Sequence, residues 1–175
     1  MAGGYLPGTE FGLPESTRVH KWANIAGKLK CGEHCRIDAF VTITGDVTLG
    51  DRVHIGVGAA LFGTAGIKVM SGTSISPGAK IFSESEDVHS PLVSNPQAVE
   101  RKTVRGVVRI GMGSVVGANA VVLPGTIIGH GAMVAAMTVV PFGRTVEDHT
   151  VVRGPGARII DARELVNTFR MLGIR

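Results

Sequence analysis

Aliphatic residues recur every six positions along most of the chain, and this period is the main structural signal of the sequence. A fixed short period predicts a solenoid, and a period of six predicts a parallel β-helix whose stacked coils bury a shared core. The alternative is a β-sandwich, but its alternating strands would not hold one register over so many hexads. The anchors are Val19, Ile25, Cys31, Ile37, Ile43, Leu49, Ile55, Leu61 and Ile67, then Val69, Ile75 and Ile81 after a slip of two residues, and Val104, Ile110, Val116, Val122, Ile128, Val134 and Val140 after an interruption.

Three hexads close one coil of about eighteen residues, so the repeat also predicts how the chain is divided. Residues 1–18 lack the repeat and are rich in Gly and Pro, which predicts an irregular arm packed on the first coil or on a neighbour. Residues 19–160 form the β-helix, with a small insertion at Gly66 to Val69. Residues 161–175 predict a short C-terminal helix with Asp161 as its N-cap.

One long polar segment, at about 83–103, interrupts the repeat and reads SESEDVHSPLVSNPQAVERKT. We call it the excursion. Loops that leave a rigid scaffold often hold catalytic groups, and this one contains His89 close to Glu86 and Asp87. The alternative is a solvated insertion without function.

The chain resembles the hexapeptide-repeat acyltransferase superfamily, in particular its sugar and antibiotic acetyltransferases. The hexads from Val19 to Ile160 resemble that superfamily's repeat, and Ile110–Ala118 matches its pattern Ile-Gly-x-x-x-Val-Ile-Gly-Ala. Gly154–Ile160 resembles its closing run, with the Pro displaced by one position. The resemblance implies an all-β, left-handed parallel β-helix, acetyl-CoA as the acyl donor and a homotrimer with active sites between subunits.

His89 is the predicted general base and Asp87 its predicted orienting carboxylate. An acceptor hydroxyl attacks a thioester poorly unless a base takes its proton, and histidine titrates close to neutrality. Catalytic histidines in the superfamily lie on a loop between the two repeat blocks, often just before a proline, as in His89-Ser90-Pro91. The segment also resembles relatives whose acidic loop has no His, and in such a protein His89 would be incidental.

The resemblance also implies a site for acetyl-CoA at Ala118, Ala136, Thr138 and Arg158. The pantetheine arm passes the first two in relatives, and Arg158, with Arg153 or Arg144, would neutralise the phosphates. Two departures stand out. Many relatives have a Trp near Val115, and a Thr-Lys pair is replaced here by Pro141-Phe142.

The predicted function is acetyl transfer to a hydroxyl of a sugar or saccharide-type acceptor in a ternary complex. The alternative is N-acetylation of a nucleotide-linked amino sugar, as in surface polysaccharide or lipopolysaccharide biosynthesis. A non-catalytic solenoid and a zinc enzyme of the carbonic-anhydrase type are less favoured. The zinc class needs three His, two of them close in sequence, and no two of the six His lie that close, so no metal is expected.

The composition and charge of the chain limit the classes of ligand and partner that we expect. The net charge of +4 suits phosphorylated ligands, whereas no basic stripe with interleaved aromatic residues indicates nucleic acid. No apolar run approaches the twenty residues of a membrane span, and the first residues lack a signal-peptide pattern, so a cytoplasmic location is expected. Cys31 and Cys35 lie at inward or corner positions and predict reduced thiols.

Overall fold

A computed structural model of the chain describes residues 4–87 and 102–160. The chain forms a parallel β-helix, as the repeat predicts. It starts with a strand of the arm, β1 (Tyr5–Pro7), and a 3₁₀ helix (Gly8–Phe11). β1 pairs antiparallel with the first strand of the β-helix, Tyr5 opposite His20, so the arm packs on the first coil and is more regular than predicted.

Seven strands stack in parallel on the first face of the β-helix, here called face A, and they define seven coils. Each pairs with the strand one coil away, so inward and outward positions line up along the axis. The strands of face A are β2 (Arg18–His20), β4 (Arg36–Ile37), β6 (His54–Ile55), β8 (Ser74–Ile75), β13 (Val115–Val116), β16 (Met133–Val134) and β19 (Val151–Arg153).

Faces B and C follow face A in each coil. In the first three coils one long strand runs through both faces, because its first half pairs with face B strands and its second half with face C strands. These strands are β3 (Asn24–Cys31), β5 (Thr42–Leu49) and β7 (Ala60–Val69). Later coils have separate strands, β9 (Lys80–Phe82), β14 (Val121–Val122) and β17 (Val139–Val140) on face B, and β12 (Val108–Ile110), β15 (Ile127–Ile128) and β18 (Thr145–Val146) on face C.

The predicted insertion lies in β7, at the edge between faces B and C. Gly45 pairs with Gly63, whereas Val47 pairs with Ile67, so two extra residues lie between Gly63 and Ile67. The insertion therefore comes slightly earlier in the chain than the predicted Gly66 to Val69.

The anchors form the core. On face A the inward column is fully buried and aliphatic, which gives every coil an apolar layer to stack on its neighbours. In several coils the residue two positions before this column has a polar side chain, which donates to a backbone carbonyl on the edge between faces C and A, usually 15 residues further along the chain. For example, the thiol of Cys35 donates to the carbonyl of Gly50 (3.0 Å) and the Ser114 hydroxyl to that of Gly129 (2.6 Å). Cys31 and Cys35 are free thiols, as predicted. The inward column contains Val19, Ile37, Ile55, Ile75, Val116, Val134 and Val152.

The excursion leaves after β9 and returns before β12. Its two ends pair as antiparallel strands, β10 (Glu84–Glu86) and β11 (Thr103–Arg105). The prediction that Val104 restarts the repeat is therefore wrong, because Val104 is 38% exposed and Val108 is the next fully buried position. Residues 88–101 lie outside the described residues.

The β-helix ends in a hairpin. β20 (Arg158–Ile160) pairs antiparallel with β19 and closes the seventh coil. The predicted helix at 161–175 lies outside the described residues. Within the part of the chain that the structure describes, no helix has the length and apolar character required to cross a membrane.

Candidate active site

Two of the predicted donor-site residues lie in one column on the edge between faces A and B, which we call the donor edge. Val116, Val134 and Val152 are partners in consecutive coils, so Ala118, Ala136 and Gly154, two residues further on, are also in register. The amide of Met137 donates to the carbonyl of Ala118 (2.9 Å). Ala118 is half-buried and Ala136 is exposed, so the column presents mostly backbone to the surface.

Gly117 explains why this edge is narrow. A Cβ at Gly117 would lie 2.5 Å from the amide nitrogen of Ala136, a distance that backbone atoms cannot accommodate. Glycine is therefore required where the two coils approach most closely. The result is an edge of small residues alongside which an extended chain can lie.

Thr138 supports the donor edge from inside. Its side chain is fully buried, and its hydroxyl accepts a hydrogen bond from the amide of Gly154 (3.2 Å). This hydrogen bond therefore holds Gly154, the third residue of the column, in place. Thr138 lies two residues after Ala136, and its buried hydroxyl is directed at the protein backbone.

Two arginines mark the end of the donor edge. Arg153 and Arg158 are direct partners across the β19–β20 hairpin, and both are exposed. Like charges directly opposite each other on paired strands destabilise the pair. A phosphate bound between them would offset this repulsion, and guanidinium groups suit phosphate geometry. The residues present therefore fit the phosphate end of a coenzyme A molecule.

The root of the excursion forms a second region, on the edge between faces B and C. Buried Ser83 anchors it, because its hydroxyl donates to the carbonyl of Phe62 (3.0 Å) and accepts from the amide of Ala65 (2.8 Å). Glu84 pairs with Arg105 across β10 and β11 at 3.0 Å. Burial raises the pKa of the Glu84 carboxyl, but hydrogen bonds from Arg105 and Thr103 outweigh it and leave the pKa below its usual value.

Asp87 lies at the outer end of this root. Its amide donates to the carbonyl of Lys102 (3.1 Å), and the residue is half-buried. His89, its predicted partner, lies outside the described residues. Asp87 and the donor edge lie on different edges of the β-helix, with face B between them. Within the described residues, the predicted orienting carboxylate and the predicted donor site therefore lie apart.

A polar cluster that the sequence analysis missed lies on face A. The nearly buried carboxylate of Asp38 accepts hydrogen bonds from the Arg36 guanidinium (2.7 Å), from the His54 ring (2.9 Å) and from the Tyr5 hydroxyl. The cluster ties the arm to the second and third coils. Burial raises the pKa of Asp38, but the hydrogen bonds from Tyr5, His54 and Arg36 lower it below 3.8 overall. The signal was available, because Arg36 and His54 are eighteen residues apart and therefore occupy equivalent positions of consecutive coils.

The described residues were also compared with the ligand sets that metal ions require. No group of three or more His, Cys, Asp or Glu side chains within residues 4–87 and 102–160 is arranged to hold a metal ion.

Comparison with known proteins agrees with this architecture. The family model described as bacterial transferase hexapeptide (six repeats) matches residues 28–63. AntD, an N-acyltransferase from Bacillus cereus solved with dTDP and coenzyme A, is 24% identical, with a TM-score of 0.85 over 97% of this chain and 98% of AntD. The acetyltransferase domain of PglB from Neisseria gonorrhoeae, solved with acetyl coenzyme A, is 20% identical, with a TM-score of 0.62 over 83% of this chain and 58% of that one.

WeeI from Acinetobacter baumannii is similar at the same level, with 19% identity and a TM-score of 0.62 over 87% of this chain and 62% of that one. At these identities the likeness establishes the fold. The chain has the β-helix fold of hexapeptide-repeat acyltransferases and contains the hexapeptide repeat of bacterial transferases. The hexapeptide-repeat β-helix predicted from the sequence is thereby confirmed.

Proposed function

We propose that the protein is an N-acyltransferase that moves an acetyl group from acetyl-CoA to the amino group of a nucleotide-linked amino sugar. The observation that carries the proposal is the match to AntD over nearly the full length of both chains. AntD has been solved with dTDP-4-amino-4,6-dideoxyglucose and with 3-hydroxybutyryl-CoA. This supports the amino-sugar alternative from the sequence analysis better than the hydroxyl acceptor.

The donor edge is the proposed binding site for acetyl-CoA. The pantetheine arm lies along Ala118 and Ala136, where narrow coils leave backbone groups within reach, and Thr138 holds the edge in shape. The phosphates lie against Arg158 and Arg153. From Ala118 to Gly154 the column rises two coils, about 10 Å at the usual spacing between strands. This direction places the phosphate end at the last coil and the thioester nearer the excursion.

In the proposed reaction the amine lone pair attacks the thioester carbonyl carbon. The C–S bond then breaks, coenzyme A leaves as its thiolate, and the nitrogen loses a proton. His89 takes that proton and Asp87 holds the imidazole in the tautomer that can accept it. Amines are better nucleophiles than hydroxyls, so the base matters chiefly for removing the proton after attack.

The separation of the two edges supports an active site formed between copies of the chain. We propose a homotrimer in which the excursion of one subunit faces the donor edge of its neighbour. Most outward positions of the fifth and sixth coils are apolar, Thr145 being the exception, which favours burial between subunits. They include Val115, Val121, Ile127, Met133 and Val139. Sedimentation equilibrium would reveal a trimeric mass, whereas an active monomer would exclude this arrangement.

A cytoplasmic enzyme of surface polysaccharide synthesis, such as that of lipopolysaccharide, would meet both substrates, since activated sugars and acyl-CoA are both cytoplasmic metabolites. We propose this as the setting of the reaction.

The test is release of free coenzyme A thiol from acetyl-CoA in the presence of single acceptors. Purified protein is assayed with dTDP-4-amino-4,6-dideoxyglucose and, as the matched control, with dTDP-glucose, which has only hydroxyl groups. The proposal expects turnover with the first compound and background release with the second. Turnover with dTDP-glucose alone would support the hydroxyl acceptor of the sequence analysis instead. Turnover with neither compound would refute a nucleotide-linked sugar as the acceptor.

A further inference from the structure

A groove of about 240 Å³ lies on face C beside the edge where the excursion begins. Its walls include the side chains of Lys30, Thr48 and Lys68, with Asp46 and Val107 at the edge. The two extra residues of β7 border it, since Ala65 and Gly66 also line its wall. The groove thus lies where β7 is two residues longer than β5, the strand that it pairs with.

Its basic side chains form a column along the β-helix axis. Lys30 pairs with Thr48, Thr48 with Lys68, and Lys68 with Arg109, and all four residues are exposed outward positions of consecutive coils. Strands one coil apart are separated by about 4.8 Å, so the two lysines lie about 10 Å apart at the backbone. Lysine side chains are long and flexible, so both ammonium groups can converge over Thr48.

Within residues 4–87 and 102–160, these cations have no protein counterion. Among the described residues, the side chains of Lys30, Lys68 and Arg109 form no ion pair and no hydrogen bond. Asp46, the carboxylate in the wall, is not paired with them within salt-bridge distance. Three neighbouring positive charges without a counterion favour binding of an anion.

The groove is joined to the excursion by covalent and hydrogen-bonded contacts. Val107 directly precedes β12 at the end of the excursion, and the amide of Ala65 donates to the hydroxyl of Ser83 at its start (2.8 Å). A ligand in the groove therefore lies at the base of the segment that contains the proposed catalytic base.

We propose that this groove binds the diphosphate group of a nucleotide. Lys30 and Lys68 contact the phosphate oxygens, the Thr48 hydroxyl donates a hydrogen bond between them, and Asp46 accepts a hydrogen bond from a hydroxyl of the attached sugar. Two cations alone would fit any anion, whereas the added carboxylate favours a phosphate that also bears hydroxyl groups. That the nucleotide belongs to the acceptor rests on the proposed function, in which the donor phosphates lie against Arg153 and Arg158.

The experiment is isothermal titration calorimetry of the full chain with dTDP, coenzyme A and inorganic pyrophosphate in turn. Lys30→Ala and Lys68→Ala are each expected to weaken dTDP and pyrophosphate binding about tenfold, as expected for the loss of a hydrogen bond to a charged group. Asp46→Asn is expected to leave pyrophosphate binding intact or stronger, because it removes a negative charge. Loss of dTDP binding with coenzyme A binding unchanged supports the acceptor diphosphate in the groove. Loss of coenzyme A binding would still support a diphosphate site but would contradict the placement of the donor phosphates at Arg153 and Arg158.

Lys80→Ala is the matched control, because Lys80 is an exposed lysine on face B and its removal changes the net charge equally. Melting curves of all variants check that they fold. The proposal is overturned if the parent chain binds none of the three probes, if both lysine variants bind them like the parent, or if Lys80→Ala weakens binding equally. No acyl transfer is measured, so intact nucleotide binding in a protein without turnover would count against the proposed reaction and not against the groove.

Discussion

Arg153 and Arg158 lie directly opposite each other across the terminal hairpin, where the column of Ala118 and Ala136 ends. If this opposed pair holds a phosphate of acetyl-CoA, Arg158→Ala raises KM for acetyl-CoA about tenfold. The same change relieves repulsion and therefore raises the free energy of unfolding by about 0.2–1 kcal/mol in the absence of ligand. Steady-state kinetics and urea denaturation measure the two effects.

Arg158→Lys is the matched variant, because it keeps the charge but loses the planar donor pair. It should keep the lower stability of the parent and recover part of the affinity. An Arg158→Ala protein with unchanged KM would remove the hairpin from the donor site, whatever its stability.

The exposed edge at Ala136 allows a steric test. Ala136→Phe adds a bulky ring outside the core, so the melting temperature should stay close to that of the parent. The ring would occupy the proposed path of the pantetheine arm, and we expect KM for acetyl-CoA to rise at least tenfold. Thr9→Phe, at an exposed position of the 3₁₀ helix in the arm, is the control for the added ring. Equal effects of the two changes would contradict the proposed path.

The excursion is tested by His89→Ala. Loss of a general base is expected to lower kcat by about 10²–10⁴-fold. Coenzyme A binding should be unchanged, because the residues proposed to hold it, Ala118, Ala136 and Arg158, remain in place. Asp87→Asn should have a smaller effect and alter the pH profile of kcat, since it perturbs the imidazole without removing it. If His89→Ala leaves kcat unchanged, His89 is incidental and the acceptor amine must lose its proton by another route.

The Asp38 cluster gives a prediction about stability and pH. Asp38→Asn removes the charge that three donors share, and should lower the free energy of unfolding by about 1–3 kcal/mol at pH 7. The pKa of Asp38 is depressed in the folded state, so its stabilisation is present above about pH 4 and is lost as the pH falls through the folded pKa. The gap between parent and variant should therefore narrow below pH 4.

Denaturant unfolding curves from pH 2.5 to 7 would measure this gap. Glu147→Gln, an exposed carboxylate with no ion pair in the described part of the chain, should cost little at any pH. A gap that stays constant down to the lowest pH would mean that the Asp38 charge contributes nothing to stability.

Hexad spacing was sufficient to predict the coils, because each anchor such as Ile37 or Val134 has no other place for its apolar side chain than the narrow core. The same spacing gave a wrong prediction at Val104, which is not a core position. An aliphatic residue six positions before Ile110 fits the repeat by chance, whereas the pairing of β10 with β11 draws it out of the register. Local pattern alone cannot detect a hairpin whose partner strands are separated by the whole excursion.

The candidate site was predictable only in part. Small residues at Ala118 and Ala136 followed from a family resemblance, and their alignment in one column follows from the coil length. Arg153 was predicted to help neutralise the phosphates of acetyl-CoA. Its position opposite Arg158 depends on a turn that the sequence pattern does not predict. The carboxylate of Asp38 was missed because its donors come from the arm and from two coils, and a one-dimensional pattern does not connect them.

The acceptor atom is the most direct test of the proposed function. Acetyl-CoA labelled with ¹³C at the carbonyl is incubated with the protein and equal amounts of dTDP-4-amino-4,6-dideoxyglucose and dTDP-glucose, and the product is examined by NMR. We predict a single amide carbonyl coupled to the sugar proton at the amino carbon. An ester carbonyl on a sugar hydroxyl, with the amine unmodified, would contradict N-acylation and establish the hydroxyl as the acceptor.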